Sequence, residues 1–276
     1  MSRLHLALQR AAAEGMYRNF VLDLAPTVID RPDFPAETAV RRLPDEERGS
    51  RGSREPESPA PDLREREPLP ATVASQLANL AHALQVHPAK PRTIAFVASS
   101  RGEGATTSAA NVGSYLAQQR AKVLIVDANL PWPAVHSIAG VSATPGFVDV
   151  MDGRLEVKDA IRSTAIANLF VLPAGERESR TTNRLLPRAE LRDRLIVPTI
   201  EYDYVLVDCP ALSLYEDAAV TAAACDGAIL VVEGGRTVRE QAHAAKALLA
   251  RAHCQVLGVF MNKRKFYIPQ FVYDRL

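Results

Sequence analysis

Beyond about residue 72 the chain alternates between short, largely apolar runs and longer segments whose apolar residues recur every three or four positions. The runs at 93–98 (TIAFVA), 122–126 (KVLIV, ending at Asp127), 204–207 (YVLV), 228–232 (AILVV) and 256–261 (VLGVFM) predict buried strands. The spacing predicts helices over 106–118 and 236–251. Strands that alternate with helices build βαβ units, so the expected fold class is α/β: a mostly parallel sheet with helices on both faces. In such sheets ligands bind outside the carboxyl ends of the strands, and the chemistry is sought there.

The first third of the chain reads differently. Leu4, Leu8, Ala11 and Ala12 recur at helical spacing and predict a short amphipathic helix over 2–16, which either packs on its own domain or docks elsewhere. From Asp30 to Pro70 the composition turns to Pro, Glu, Arg, Ser and Gly (DEERGSRGSREPESPAPDLREREP), with almost nothing to bury against the loss of chain entropy. The expected organisation is an interaction segment at 1–29, a disordered charged linker at 30–71 and one α/β domain at 72–276.

Composition narrows the partners. Thirty-three basic against thirty-two acidic residues leave a formal charge of +1 over 276 residues, so no global field gathers nucleic acid, and none is expected as a partner. Cys209, Cys225 and Cys254 have neither paired nor zinc-type spacing and point to a reducing compartment. No signal-peptide core and no run of about 18 apolar residues occurs, and the expected location is cytoplasmic.

The candidate chemistry starts after the first strand, at Ser99-Ser100-Arg101-Gly102-Glu103-Gly104-Ala105-Thr106-Thr107. A Gly-rich turn between strand and helix directs backbone N–H groups and a helix dipole at an anion. The P-loop pattern G-x-x-x-x-G-K-[ST] fits with two departures: Ser99 stands for the first Gly and Ala105 for the Lys. That Lys reaches the β- and γ-phosphates, which Ala105 cannot do. Thr106 keeps the hydroxyl of the Mg2+ side. Two further strands end in carboxylates, Asp127 in VLIVDANLP and Asp208 in YDYVLVDCPA, both expected at the loop's edge of the sheet. They suit a metal–phosphate site in which one holds Mg2+ and the other polarises an attacking hydroxyl; helix capping or turn formation at the strand ends is the alternative.

With these motifs in order, the sequence resembles the bacterial polysaccharide tyrosine autokinases (BY-kinases), relatives of the MinD/ParA group of deviant P-loop ATPases. The likeness rests on ASSRGEGATT, KVLIVDANLPWPAVH and YDYVLVDCPALSLYEDA, with weaker matches in GFVDVMDG, NLFVLPAG and VLGVFMNK. It implies a P-loop NTPase-like fold that binds ATP or ADP and Mg2+. Gly102, Glu103, Gly104, Ala105, Thr106 and Thr107 would line the nucleotide, Thr106, Asp127 and Asp208 the metal, and Asn262 the adenine, with Asp127 and Asp208 as the catalytic carboxylates.

The resemblance also implies a role in exopolysaccharide biosynthesis and export. It brings a membrane polysaccharide co-polymerase or transporter as partner, a homo-oligomeric state, and a peripheral position at the inner membrane. The departures qualify this. Asn129 and Pro131-Trp132 replace an acidic and basic stretch, the helix VASQLANLAHAL lacks the charges used for ring assembly, and only Tyr267 and Tyr273 follow Lys263-Arg264-Lys265. With Ala105 in the loop the expectation is a pseudokinase with little or no turnover. The alternative is an active ATPase or tyrosine autokinase in which Arg101, Lys122 or a neighbouring subunit supplies the missing charge. A dinucleotide fingerprint built on Gly102, Gly104 and Asp127 is a third reading, weakened by Thr107 at its last glycine.

Overall fold

The computed structural model describes residues 71–176, 187–215 and 217–263. The helix and linker expected within 1–70, and Tyr267 and Tyr273, lie outside the described residues.

Strands β1 (Thr93–Ala98), β2 (Val123–Asp127), β3 (Arg162–Ser163), β4 (Leu169–Leu172), β5 (Tyr204–Asp208), β6 (Gly227–Glu233) and β7 (Val256–Asn262) form a single sheet. Its order is β3-β4-β2-β5-β1-β6-β7, and every pairing is parallel except β3 with β4. The helices are α1 (Ala71–Val86), α2 (Ala105–Gln118), α3 (Val135–Ala139), α4 (Phe147–Met151), α5 (Val157–Ala160), α6 (Arg188–Leu191), α7 (Asp217–Ala224) and α8 (Arg239–Arg251). After α6 the chain continues through a π turn at Arg192–Ile196 and a 3-10 turn at Val197–Thr199.

The apolar runs are continuous because each strand is covered on both faces. Successive residues point to opposite sides: Ala95, Val97, Leu124, Val126, Val205 and Val207 belong to one apolar cluster. Ile94, Phe96, Val123, Ile125 and Leu206 belong to the other. Leu191, Leu195, Ala218, Ala222 and Leu249 close the first face. Leu77, Leu80 and Leu84 of α1 close the second with Ala109, Val112 and Leu116 of α2. The charge-free α1 is thus a core helix, with its leucines on one stripe at helical spacing.

Connections from α2 and α8 run over opposite faces, and β1 lies centrally, flanked by β5 and β6. The α/β expectation therefore holds, with strand bounds within one residue of those read from the pattern. The register sets Asp127 of β2 directly beside Asp208 of β5, so both carboxylates leave the same end of the sheet as the β1–α2 loop. Short β3 and β4, with the broken helices between 135 and 160, were not evident in the pattern because they are too short to show a period.

Candidate functional site

The β1–α2 loop turns on two glycines with left-handed backbone, Gly102 (φ 88°) and Gly104 (φ 92°). A side chain at Gly104 would also collide with Asn262, whose Nδ2 lies 2.2 Å from the position a Cβ would take. Gly104 precedes α2, and its carbonyl accepts from both the backbone N (2.9 Å) and Oγ (2.8 Å) of Ser108. The loop's shape is held from inside by Glu103, which is only 2% exposed. Its carboxylate accepts from Ser99 Oγ (2.7 and 2.9 Å), Ser100 N (2.9 Å) and Thr237 Oγ1 (2.5 Å). Glu103 thus belongs to the loop as expected, but its carboxylate is committed to bracing it.

Asn262 comes to the same place from the end of β7, where Nδ2 donates to the Glu103 carbonyl at 2.9 Å. Lys263, in a left-handed conformation (φ 53°), follows it back over the loop. Its Nζ donates to the Gly102 carbonyl at 2.5 Å and lies 3.3 Å from Glu233 Oε2. Glu233, Thr237 and the position of Lys263 were not found from the sequence. The basic run after β7 was visible, but its proximity to a loop 161 residues earlier was not.

Beneath the loop, Thr106 Oγ1 donates to Asp208 Oδ2 at 2.7 Å, joining α2 to β5. Asp208 is fully buried and its Oδ1 has no partner. Asp127, equally buried, accepts from Asn129 N (3.2 Å), Ala134 N (3.1 Å) and Val135 N (3.0 Å), so it also caps the turn into α3. Burial pushes the Asp127 carboxyl up to about 7, against the lowering effect of the N–H groups of Val135, Asn129 and Ala134. Asp208 is pushed well above the usual carboxylate range by burial first and then by the charge of Asp127; hydrogen bonds from Thr106 and Asn129 oppose the shift.

Among the described residues neither carboxylate has an ion-pair partner, and no three His, Cys, Asp or Glu side chains gather around one point. Two adjacent buried carboxylates, an orphan acceptor and a threonine hydroxyl fit Mg2+, which binds through one or two carboxylates and completes its shell with water and phosphate oxygens.

Ala105 opens α2 and is 7% exposed, packed with Ala98 and Ala109 in the second cluster. Thr107, also on α2's first turn, is exposed. At the mouth, the Arg101 guanidinium lies 4.2 Å over the Trp132 ring, and Trp132 meets Tyr215 edge-on at 5.6 Å. Lys122 is excluded as the replacement cation. It sits at the amino end of β2, bound to Glu201 at 2.5 Å, a strand length of about 17 Å from the loop. His136 lies on α3, its ring pKa lowered by burial and its Nδ1 without a partner. Cys209 is a buried thiol pushed up by burial, as a structural cysteine should be.

A Gly-rich loop between the central strand and α2, above paired strand-end carboxylates, defines a P-loop NTPase-type α/β domain. Residues 91–236 match the family model described as an AAA domain. The chain is 31% identical over 174 residues to the tyrosine-protein kinase YwqD of Bacillus subtilis, covering 63% of this chain and 73% of that one. It is 29% identical to the tyrosine-protein kinase CpsD of Streptococcus agalactiae, covering 62% and 75%. The kinase domain of the Escherichia coli tyrosine kinase ETK superposes with a TM-score of 0.68 at 21% identity, over 82% of this chain and 89% of that one, a likeness of fold. The MinD cell division ATPase of Pyrococcus furiosus superposes with a TM-score of 0.55 at 27% identity, over 67% and 79%. The chain belongs to the AAA-domain family and, within it, to the bacterial tyrosine-protein kinases related to MinD. That membership leaves no place for the dinucleotide reading.

Proposed function

We propose that this chain is a nucleotide-binding member of a bacterial exopolysaccharide biosynthesis and export apparatus, working by nucleotide-dependent contacts and with little or no tyrosine-kinase turnover. The observation that carries the proposal is Ala105 at the first position of α2, above an otherwise complete set of loop, hydroxyl and carboxylates. The backbone N–H groups from Gly102 to Thr107 would hold the phosphates, and Thr106, Asp127 and Asp208 the Mg2+. Bound Mg2+ supplies neutralising charge and orients phosphate oxygens. The chain's own residues brace the loop (Glu103, Asn262), keep the carboxylates dry and hold the hydroxyl on Asp208. Loss of a cation that stabilises phosphoryl transfer costs several kcal/mol of barrier, orders of magnitude in rate.

The relative titled succinoglycan biosynthesis transport protein ExoP of Rhizobium meliloti, 30% identical over 178 residues, supports the export context. That match covers 22% of the relative's length; a membrane co-polymerase or transporter is the partner this reading assigns. Among the described residues no helix is long and apolar enough to cross a membrane; the reading places the chain at the inner-membrane face through that partner. The segment 1–29 would serve as the docking piece, 30–71 as spacer and 72–276 as the nucleotide domain, able to self-associate.

Purified protein should bind ADP with Mg2+ in isothermal titration and fail to incorporate label into tyrosine from radiolabelled ATP. Tyrosine autophosphorylation at kinase-like rates would overturn the loss of turnover. In the alternative reading, in which turnover survives, Arg101 would have to leave Trp132 to supply the missing charge, and Arg101→Ala would then abolish hydrolysis.

A further inference from the structure

We propose that Lys263 supplies, from the far end of β7, the positive charge that the loop lacks at residue 105, and that it binds the phosphates of a nucleoside diphosphate or triphosphate. The inference rests on the nucleotide-binding reading above and deepens it by naming the phosphate-binding cation.

The geometry is specific. Lys263 Nζ sits on the Gly102 carbonyl at 2.5 Å and 3.3 Å from Glu233 Oε2. An ammonium carries three donors, and among the described residues these two acceptors leave the third for an anion. The side chain is 48% exposed, so the head reaches solvent at the mouth without being lost to it. Its backbone is fixed: Lys263 N donates to Asn262 Oδ1 at 2.9 Å, while Asn262 Nδ2 holds the Glu103 carbonyl at 2.9 Å. The same asparagine therefore ties the loop and the lysine together, and Lys263 itself has a left-handed backbone (φ 53°).

Other cations nearby are committed differently. Arg101 is stacked on Trp132; Arg236 Nη1 shares Glu233 Oε2 with Lys263 at 3.3 Å but is 67% exposed, whereas Lys263 is 48% exposed and also donates to the Gly102 carbonyl of the loop. Ala105 brings no charge of its own to the loop. A small residue in the loop and a lysine clamped beside it thus read as one relocated charge.

The assignment separates from a merely structural role in a double-mutant cycle. Isothermal titration with ADP and Mg2+ is carried out on the full chain and on Lys263→Met, Lys263→Arg, Ala105→Lys and the double variant Ala105→Lys/Lys263→Met. Methionine keeps the apolar stem and removes the charge. We expect Lys263→Met to weaken binding by about tenfold or more, and Lys263→Arg by less than about threefold, as for loss and retention of a charge-assisted contact. In the Ala105→Lys background the methionine change should cost less than about threefold, because the charge is already restored. Melting temperatures without nucleotide should stay equal for the full chain and Lys263→Met.

Unchanged affinity in Lys263→Met, or tighter binding, would overturn the inference while leaving the nucleotide reading intact. Equal losses in both backgrounds would do the same, by showing that Lys263 acts independently of residue 105. Binding by Ala105→Lys with none by the unaltered chain would show that Lys263 does not replace the cation. No binding by either would overturn the nucleotide reading itself.

Discussion

At the scale of single residues, the buried carboxylate pair sets the electrostatic character of the site. Buried, and with no cationic side chain beside them among the described residues, Asp127 and Asp208 are both harder to ionise in the folded protein than in the unfolded chain. Between about pH 4 and pH 7 the native state therefore holds more protons than the unfolded state, and metal-free stability falls as pH rises through that window. The isosteric Asp208→Asn removes one of the two like charges and its desolvation. In EDTA at pH 8 it should raise the midpoint of urea unfolding and flatten the decline with pH. It should also remove Mg2+-dependent nucleotide binding, which titration with and without Mg2+ would detect. A fall in stability on this substitution at pH 8 would show that the pair is not strained.

The chain's single tryptophan offers a local readout, because Arg101 covers Trp132. Arg101→Ala should change Trp132 emission while leaving ADP affinity within about threefold, as expected for a stacked surface contact. Asp127, Asp208 and Thr106 were legible because a strand end or a helix start fixes where such residues point. The inward turn of Glu103 was not, since it depends on Thr237, 134 residues away. The contact of Lys263 with the loop was not legible for the same reason: an exposed lysine after a strand carries no local signal of what it will meet.

At the scale of elements, the apolar periodicity placed β1, β2, β5, β6 and β7 and the helices α2 and α8, because each is long enough to show its period. The helix α1 was marked by the resemblance alone, and its lack of charge goes with the burial of Leu77, Leu80 and Leu84. Leu80, 4% exposed, sits among the α1–α2 contacts. Leu80→Ala should cost about 2–4 kcal/mol in urea unfolding, through lost burial and the cavity left behind.

The stretch from α3 to α5 was legible only as a motif, GFVDVMDG, and the structure gives the reason for its first glycine. Gly146 has extended backbone, so conformational freedom is not the point. A Cβ there would lie 2.2 Å from the Pro173 carbonyl oxygen and 2.3 Å from Gly175 N, backbone atoms that cannot step aside. Gly146 N also donates to Asp149 Oδ2 at 2.8 Å, and Phe147 N to the Pro173 carbonyl at 2.7 Å, fastening α4 to the end of β4. Gly146→Ala should therefore destabilise by about 3 kcal/mol, the upper end for overpacking, with the loss visible as a lower melting temperature. An alanine tolerated within half a kcal/mol would mean that α4 moves independently of β4.

At the scale of the whole molecule, the order of the strands decides what the site can report. Period and apolarity show that strands exist but not which ones pair, and the insertion of β5 between β1 and β2 is what sets Asp208 beside Asp127. The loop leaves β1, the carboxylates leave β2 and β5, and the brace comes from the ends of β6 and β7 through Thr237 and Asn262. Nucleotide bound at this edge would rest on a loop from β1 that is braced from β6 and β7 and lies above the carboxylates of β2 and β5, so its binding is tied to five of the strands among the described residues. Ligand bound to the native state alone then stabilises the whole sheet, by about 2.7 kcal/mol at a free concentration one hundred times Kd.

Thermal unfolding followed by circular dichroism should shift upward with ADP and Mg2+ as one cooperative transition. ADP with EDTA should give a smaller shift, and Asp208→Asn should give the same small shift whether or not Mg2+ is present. A two-step transition, with only the loop edge responding, would show that β6 and β7 are not coupled to β2 and β5 through the site. The bracing of the loop by Asn262 would then be a contact without mechanical consequence. A single shifted transition, lost in Asp208→Asn, ties the charge at the sheet's centre to the stability of its edges.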